Sequence, residues 1–287
     1  MTAIRAALLL AFIGLAFLPG IAVRAQDDAP EPFPRRLIDS SGALVVIPER
    51  PQQVAVLGEV LPLRMLLASA EILPVDPDAP VELLDWDDAG LIVVSEAGAA
   101  LYTGQLASAR AAGVPVFQIG PIASVSDWQD TLAVLGQATG RDAQAQMILA
   151  RSDERLQAVA RLVSERDPVR VLALTPEGYT FGQGTLITDL IALAGGINAA
   201  ASAGFDDYRQ IDDDTIRELA PDVILLTPAW SASAAADFAA SPAYSTVPAN
   251  RSGRIFRLPF SPTQVRDPAV AVLALALAFH TTPLPRP

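Results

Sequence analysis

Side chains able to do covalent or metal chemistry are scarce in this 287-residue chain, and that scarcity restricts what it can do. His280 is the only histidine and cysteine is absent, so no His- or Cys-based metal centre can form. Any catalytic triad would have to use this one imidazole near the end of the chain; it is read as a surface or packing residue. All 20 basic residues are arginine, which removes both Schiff-base chemistry and the lysine of a nucleotide phosphate loop. No Gly-x-Ser-x-Gly elbow occurs. Asp85, Asp87, Gly90 and Glu96 fall at positions 1, 3, 6 and 12 of a calcium loop, but Ala89 stands at position 5 and Leu91–Val94 reads as a buried strand. Gly182-Gln183-Gly184-Thr185, ahead of a helix, is either an anion cradle built on backbone N–H groups or a tight turn with an N-cap. What remains is binding rather than catalysis, and the chain is read as a non-enzyme.

Aromatic residues just beyond apolar runs are the stronger signal. Tyr102 follows Leu91–Val94, Tyr179 follows Val169–Leu174, Trp230 follows Val223–Leu226 and Phe260 follows Arg254–Leu258. Open α/β sheets hold ligands at the carboxyl ends of their strands, where these rings stand. Further strands are expected at Val54–Leu57 and Val114–Ile119, and a hairpin at Arg36–Ile47 around Ser40-Ser41-Gly42. Alternation of such runs with helical segments predicts an α/β fold with two lobes, each built on a largely parallel sheet. Between them, Ser126-Asp127 can cap a helix to Ala138. Arg141–Glu165, free of Gly and Pro, predicts a single long helix of ~40 Å joining the lobes, its Ile148, Leu156, Val159, Leu162 and Val163 packing on them. Later helices are expected at Leu186–Ala194 with Thr185 as N-cap, at Asp214–Ala220 and at Pro268–Phe279.

The amino terminus reads as a cleavable export signal: Arg5, the apolar run Ala6–Phe17, a Pro19-Gly20 break and the small-residue site Ala22-Val23-Arg24-Ala25. The domain reading is therefore a signal peptide 1–25, a flexible leader 26–34, an N-terminal lobe 35–125, a helical linker 126–167 and a C-terminal lobe 168–287. Lack of cysteine excludes a lipidated N-terminal cysteine, so the expected location is the periplasm, free of the membrane. Removing residues 1–25, which hold Arg5, Arg24 and no acidic residue, takes the formal net charge from −12 to −14. Nucleic acid is not expected as a partner.

Several segments, in order, resemble one family: Arg36-Leu-Ile-Asp-Ser-Ser-Gly with Val45-Val-Ile-Pro48, Val54-Ala-Val-Leu-Gly58, Val94-Ser-Glu-Ala-Gly98, and Ala111-Ala-Gly-Val-Pro-Val116. Leu135-Gly136 with Gly140-Arg141, Gly184-Thr185, Leu190–Ala199, and Tyr208 leading into Leu219–Leu225 continue the series. Together they resemble the ABC-importer solute-binding proteins for iron-siderophores, cobalamin and haem, most closely the hemin-binding branch. The resemblance implies a ligand cleft between the lobes, little hinge closure, and delivery of hemin or a related metal chelate to an inner-membrane permease dimer by a monomer. It implies no intrinsic cofactor, the chelate being cargo, and permease docking through acidic residues, here Glu82 and Asp214. The candidate ligand-binding set is Glu96, Tyr102, Tyr179, Tyr208, Arg209, Trp230 and Phe260. Between Asp76 and Glu82 stand only Pro77–Val81, where hemin-binding relatives carry a longer loop holding the tyrosine that ligates haem iron. Axial ligation would then fall to Tyr102, Tyr179 or Tyr208. Open alternatives are an iron-siderophore or cobalamin carrier, a periplasmic protein-interaction scaffold and a secreted hydrolase.

Overall fold

Four-residue apolar runs with no polar interruption suit strands covered on both faces, and such strands form the centre of each lobe. The computed structural model describes residues 32–73, 75, 86, 88–262 and 265–280. An antiparallel hairpin of β1 (Arg35–Ile38) and β2 (Leu44–Ile47) precedes the first sheet. That sheet is wholly parallel, with β3 (Val54–Leu57), β4 (Ile72–Leu73), β5 (Leu91–Ser95) and β6 (Val116–Ile119) in the order β4-β3-β5-β6. Helices α1 (Leu63–Leu66), α2 (Glu96–Leu101) and α3 (Thr103–Ala111) connect its strands.

The second lobe repeats the plan. β7 (Val169–Leu174), β9 (Gly196–Asn198), β11 (Val223–Leu226) and β12 (Ile255–Arg257) form a parallel sheet ordered β12-β11-β7-β9. A separate antiparallel pair joins β8 (Tyr179–Phe181) to β10 (Tyr208–Gln210). Helices α6 (Leu186–Leu193), α7 (Ala199–Ser202), α8 (Asp213–Leu219), α9 (Ala232–Ala240), α10 (Pro248–Ser252) and α11 (Pro268–His280) cover this lobe.

Two helices connect the lobes: α4 (Val125–Thr139) and α5 (Asp142–Val163). Gly140, in the left-handed region at φ 67°, ends α4, and Gly136 lets the hairpin close, since a Cβ there would lie 2.5 Å from that of Ala145. At 22 residues α5 is about 33 Å long. Its first half gives Ala145, Ile148 and Leu149 to the first lobe's core, and its second half gives Leu156, Val159 and Val163 to the second's. Leu162, expected in the packed face, is 46% exposed because it falls at the edge of the stripe formed by Leu156, Val159 and Val163. Helix α4 belongs mainly to the first lobe, whose core holds its Trp128, Leu132 and Leu135. Its N-cap is Ser124, accepting from the Asp127 N–H, two residues before the expected start.

Polar bonds fix the lobes across the seam. The Asp189 carboxylate, on α6, accepts from the Val125 N–H at 2.7 Å, placing a negative charge at the α4 N-terminus. Arg155 on α5 pairs with Asp267 at 2.7 Å, and Ile122 packs against both cores.

Asp39 anchors the first hairpin to β6. Burial opposes its charge, but donors from the Ser41 hydroxyl (2.6 Å) and the N–H groups of Ser41 (2.9 Å), Ala43 (3.1 Å) and Gln118 (3.2 Å) together hold its carboxyl below the ordinary range. A depressed carboxylate stabilises the fold above its unfolded pKa of about 4, and that stability is lost as pH falls through the lower folded value. Asp39→Ala removes these bonds to a charged acceptor and is expected to cost about 1–3 kcal/mol at neutral pH. In urea titrations the gap between native protein and variant should narrow below pH 4; a gap constant from pH 7 to 3 would contradict this assignment.

Candidate functional site

The carboxyl ends of both parallel sheets open into cavities, one on each side of the seam. On the first lobe, Gly58 and Glu59 leave β3, Ser95 ends β5, α2 begins at Glu96, and Ile119–Ile122 leave β6; together they line a cavity of about 680 Å³. Its wall is made of small residues because α2 lies close on β3: a Cβ on Gly98 would come within 2.8 Å of the Leu57 carbonyl oxygen. Leu101, 75% exposed, gives this wall a bare aliphatic surface.

On the second lobe, Thr175 and Glu177 after β7, Thr227–Ala229 after β11, and Ser261 and Pro262 beyond β12 line a cavity of about 410 Å³ with Phe181, Thr185 and Tyr208. A narrow gap between the two is lined by Glu59 and Ile122, shared with the first cavity, and by Leu61, Pro62, Trp128, Leu186 and Val265. Leu186 adjoins Thr185 of the second cavity. The cavities and gap thus form one cleft with α4 at its floor.

Strand alternation decides which candidate side chains face this cleft. In the β8/β10 pair Tyr208 stands opposite Phe181 and Arg209 opposite Thr180. Tyr208 is 51% exposed and lines the cavity; Tyr179 stacks on it at 4.8 Å with rings 2° from parallel, and Phe181 meets it edge-on at 5.0 Å. Arg209 points to the other face, its guanidinium 4.7 Å from the centre of the Phe205 ring. Glu96, in the first turn of α2, lines the opposite wall.

The remaining aromatics are placed elsewhere. Tyr102 joins α2 to α3 and packs, half-buried, against the first-lobe core cluster that holds Leu57, Ile92, Val94 and Leu106. Trp230 packs edge-on against Phe238 at 5.3 Å and donates its indole N–H to the Leu174 carbonyl at 3.0 Å. Phe260 packs against the second lobe's inner core. None of these three lines the cleft cavities. Sequence reasoning missed Glu59, Leu101 and the Ile119–Ile122 turn, which carry no motif of their own.

The Gly182–Thr185 segment is a tight turn in which the Gly182 and Gln183 N–H groups and the threonine hydroxyls are engaged within the protein. Gly182 N–H bonds Asp207 O, Gln183 N–H bonds Phe205 O, and the Thr185 and Thr188 hydroxyls donate to Gly182 O. Thr185 therefore does not cap α6 with its side chain, as the sequence suggests it would.

Three successive aspartates open α8. Asp212 caps the helix through Thr215, which lowers its pKa. Asp213 accepts from the Tyr244 hydroxyl at 2.6 Å; burial first, and then this bond, push the phenol pKa up. Asp214 remains 78% exposed, paired only with Arg217 one turn on. Glu82 and the Asp76–Val81 segment lie outside the described residues, as do Asp85, Asp87 and the export signal. Among the described residues no helix is long and apolar enough to cross a membrane.

Residues 91–262 match the periplasmic binding protein family, and the chain belongs to that family. A cobalamin-binding protein of Halobacterium salinarum is 30% identical over 183 residues, covering 60% of this chain and 49% of the relative. The chain thus spans about half the length of the curated relatives it matches. Among solved structures, Helicobacter pylori CeuE with Ni(II) bound aligns with TM-score 0.70 at 16% identity, covering 86% of this chain and 89% of that one. The periplasmic heme-binding protein RhuT of Roseiflexus aligns with TM-score 0.67 at 23% identity, covering 80% and 98%. These alignments establish the fold: two α/β lobes with a cleft between.

Proposed function

We propose that the chain is the solute-binding component of an ABC importer, carrying a metal chelate of tetrapyrrole size in its interlobe cleft and delivering it to a membrane permease. The observation that supports this most directly is the cleft: two facing cavities at the strand ends, one aliphatic around Leu101 and one headed by an exposed, stacked tyrosine. Their sizes, about 680 and 410 Å³, suit a bulky ring rather than a bare ion. The names of relatives point the same way, since they bind cobalamin and heme. Hemin and cobalamin-like corrinoids are therefore the cargo classes to test, with ferric siderophores as the third. We take Tyr208, which lines the second cavity, as the tyrosine that ligates iron or stacks on a ring. Export through the signal segment, the periplasmic location and monomeric action complete the reading.

Chelate binding should raise thermal stability, by about 2.7 kcal/mol at one hundred times Kd. We expect at least one of hemin, hydroxocobalamin and a ferric siderophore to bind the mature protein at micromolar concentration, and Tyr208→Ala to weaken it about tenfold or more. No thermal shift with any of the three would remove the carrier assignment.

Asp214 is proposed as one permease contact, with Glu82 as its counterpart on the first lobe. A helix between parallel strands runs antiparallel to them, so the start of α8 lies at the cleft end of β11. Asp214→Ala with Glu82→Ala should reduce uptake in cells while chelate affinity of the purified protein stays within twofold. A matching fall in affinity would place these carboxylates in binding or folding instead.

A further inference from the structure

The charge pattern of the cleft restricts the cargo further, an inference that rests on the carrier reading above. Both walls carry carboxylates: Glu59 and Glu96 on the first lobe, Glu177 on the second. No arginine lines either cavity or the gap between them. Glu96 and Glu177 have no ion-pair partner among the described residues. Of the arginines nearby in sequence, Arg209 lies over the Phe205 ring on the other face, and Arg257 donates at 3.4 Å to the carbonyl of Pro228, a residue of the second cavity's wall, without lining that cavity itself. Two exposed arginines flank the gap in sequence, Arg64 two residues after Pro62 and Arg266 next to Val265, and neither lines a cavity. The whole chain is strongly acidic, at formal net charge −12.

A dianionic ring would bring its carboxylates between two walls that carry Glu59, Glu96 and Glu177 and whose linings hold no guanidinium among the described residues. Desolvating like charges together opposes binding, and such repulsion is how interfaces exclude a wrong partner. A ring edged with amides or cations meets hydrogen-bond acceptors and opposite charge instead. We infer that the cleft selects metal chelates with a neutral or cationic periphery, of the amide-edged corrinoid kind, over porphyrins and siderophores edged with carboxylates. Glu96 and Glu177 are the specificity-determining residues, one on each wall.

The test separates ring from charge. Mature protein is titrated with two water-soluble iron porphyrins of similar size, the tetracationic N-methylpyridyl and the tetra-anionic sulfonatophenyl forms, and in parallel with hydroxocobalamin and hemin. Expected are one-to-one binding with the cationic porphyrin at least tenfold tighter than the anionic one, and hydroxocobalamin tighter than hemin. Because an acidic protein attracts cations over its whole surface, the double variant Glu96→Gln, Glu177→Gln is compared with Glu165→Gln, Asp237→Asn, which removes two exposed carboxylates elsewhere. The first should cut the preference severalfold, and the second should leave it within twofold. Equal or tighter binding of hemin and the anionic porphyrin would overturn the charge inference while leaving the carrier reading intact, as would a preference that both double variants reduce equally. Failure of every chelate to bind would overturn the carrier reading and this inference with it.

Discussion

The molecule depends on a single helix being part of two cores. Helix α5 contributes Ala145, Ile148 and Leu149 to one lobe and Leu156, Val159 and Val163 to the other. Full burial of a Val or Leu side chain contributes about 1.5–3 kcal/mol, a range that applies to Val159, while the partly buried Ile148, Leu149, Leu156 and Val163 contribute less. A bend in α5 would have to expose one set or break the helix's own hydrogen bonds, so the lobes are held at a fixed separation. The Asp189 bond to the start of α4, the Arg155–Asp267 pair and the packing of Ile122 act in the same sense. A cleft held open by such a strut needs little reorganisation to accept a large ring, and little ordering free energy is spent on closure.

Much of this was legible in the sequence, for reasons that differ by element. Val54–Leu57, residues 171–174 of β7 and Val223–Leu226 were readable because strands buried on both faces leave unbroken apolar runs. The long helix was readable because neither Gly nor Pro interrupts it. Three-residue strands such as β8, β9 and β10 were not, being too short for periodicity to show. The aromatic candidates divided for a physical reason as well. Position beyond a strand brings a ring to the right end of a sheet, but only backbone direction decides whether it turns to solvent or to the core. Tyr208 turned outward and found Tyr179; Trp230 turned inward and found the Leu174 carbonyl. Arg209 lost its place in the cleft by the same alternation that exposed Tyr208. The first lobe's wall was invisible because Gly58, Ala97, Gly98 and Ala100 act by being small, which no motif records.

Fold and cargo are separable properties here. Parallel sheets place the two cavities at their strand ends, and family membership rests on the matching sequence of residues 91–262. The cargo depends on a handful of side chains on the two walls, where few positions are aromatic or charged. On the proposed reading, affinity comes from shape, aliphatic area and the Tyr208 ring, and discrimination from Glu96 and Glu177, all of which line the two cavities.

The claim that one rigid cleft binds with both its walls is tested most directly by hydrogen–deuterium exchange of the mature protein with and without saturating chelate. The account predicts slowed exchange at Ser95–Leu101 on one lobe and around Tyr179 and Tyr208 on the other, with α5 unchanged. Protection confined to a single lobe, or appearing on the outer face around Arg170 and Phe205, would contradict it, as would altered exchange along α5.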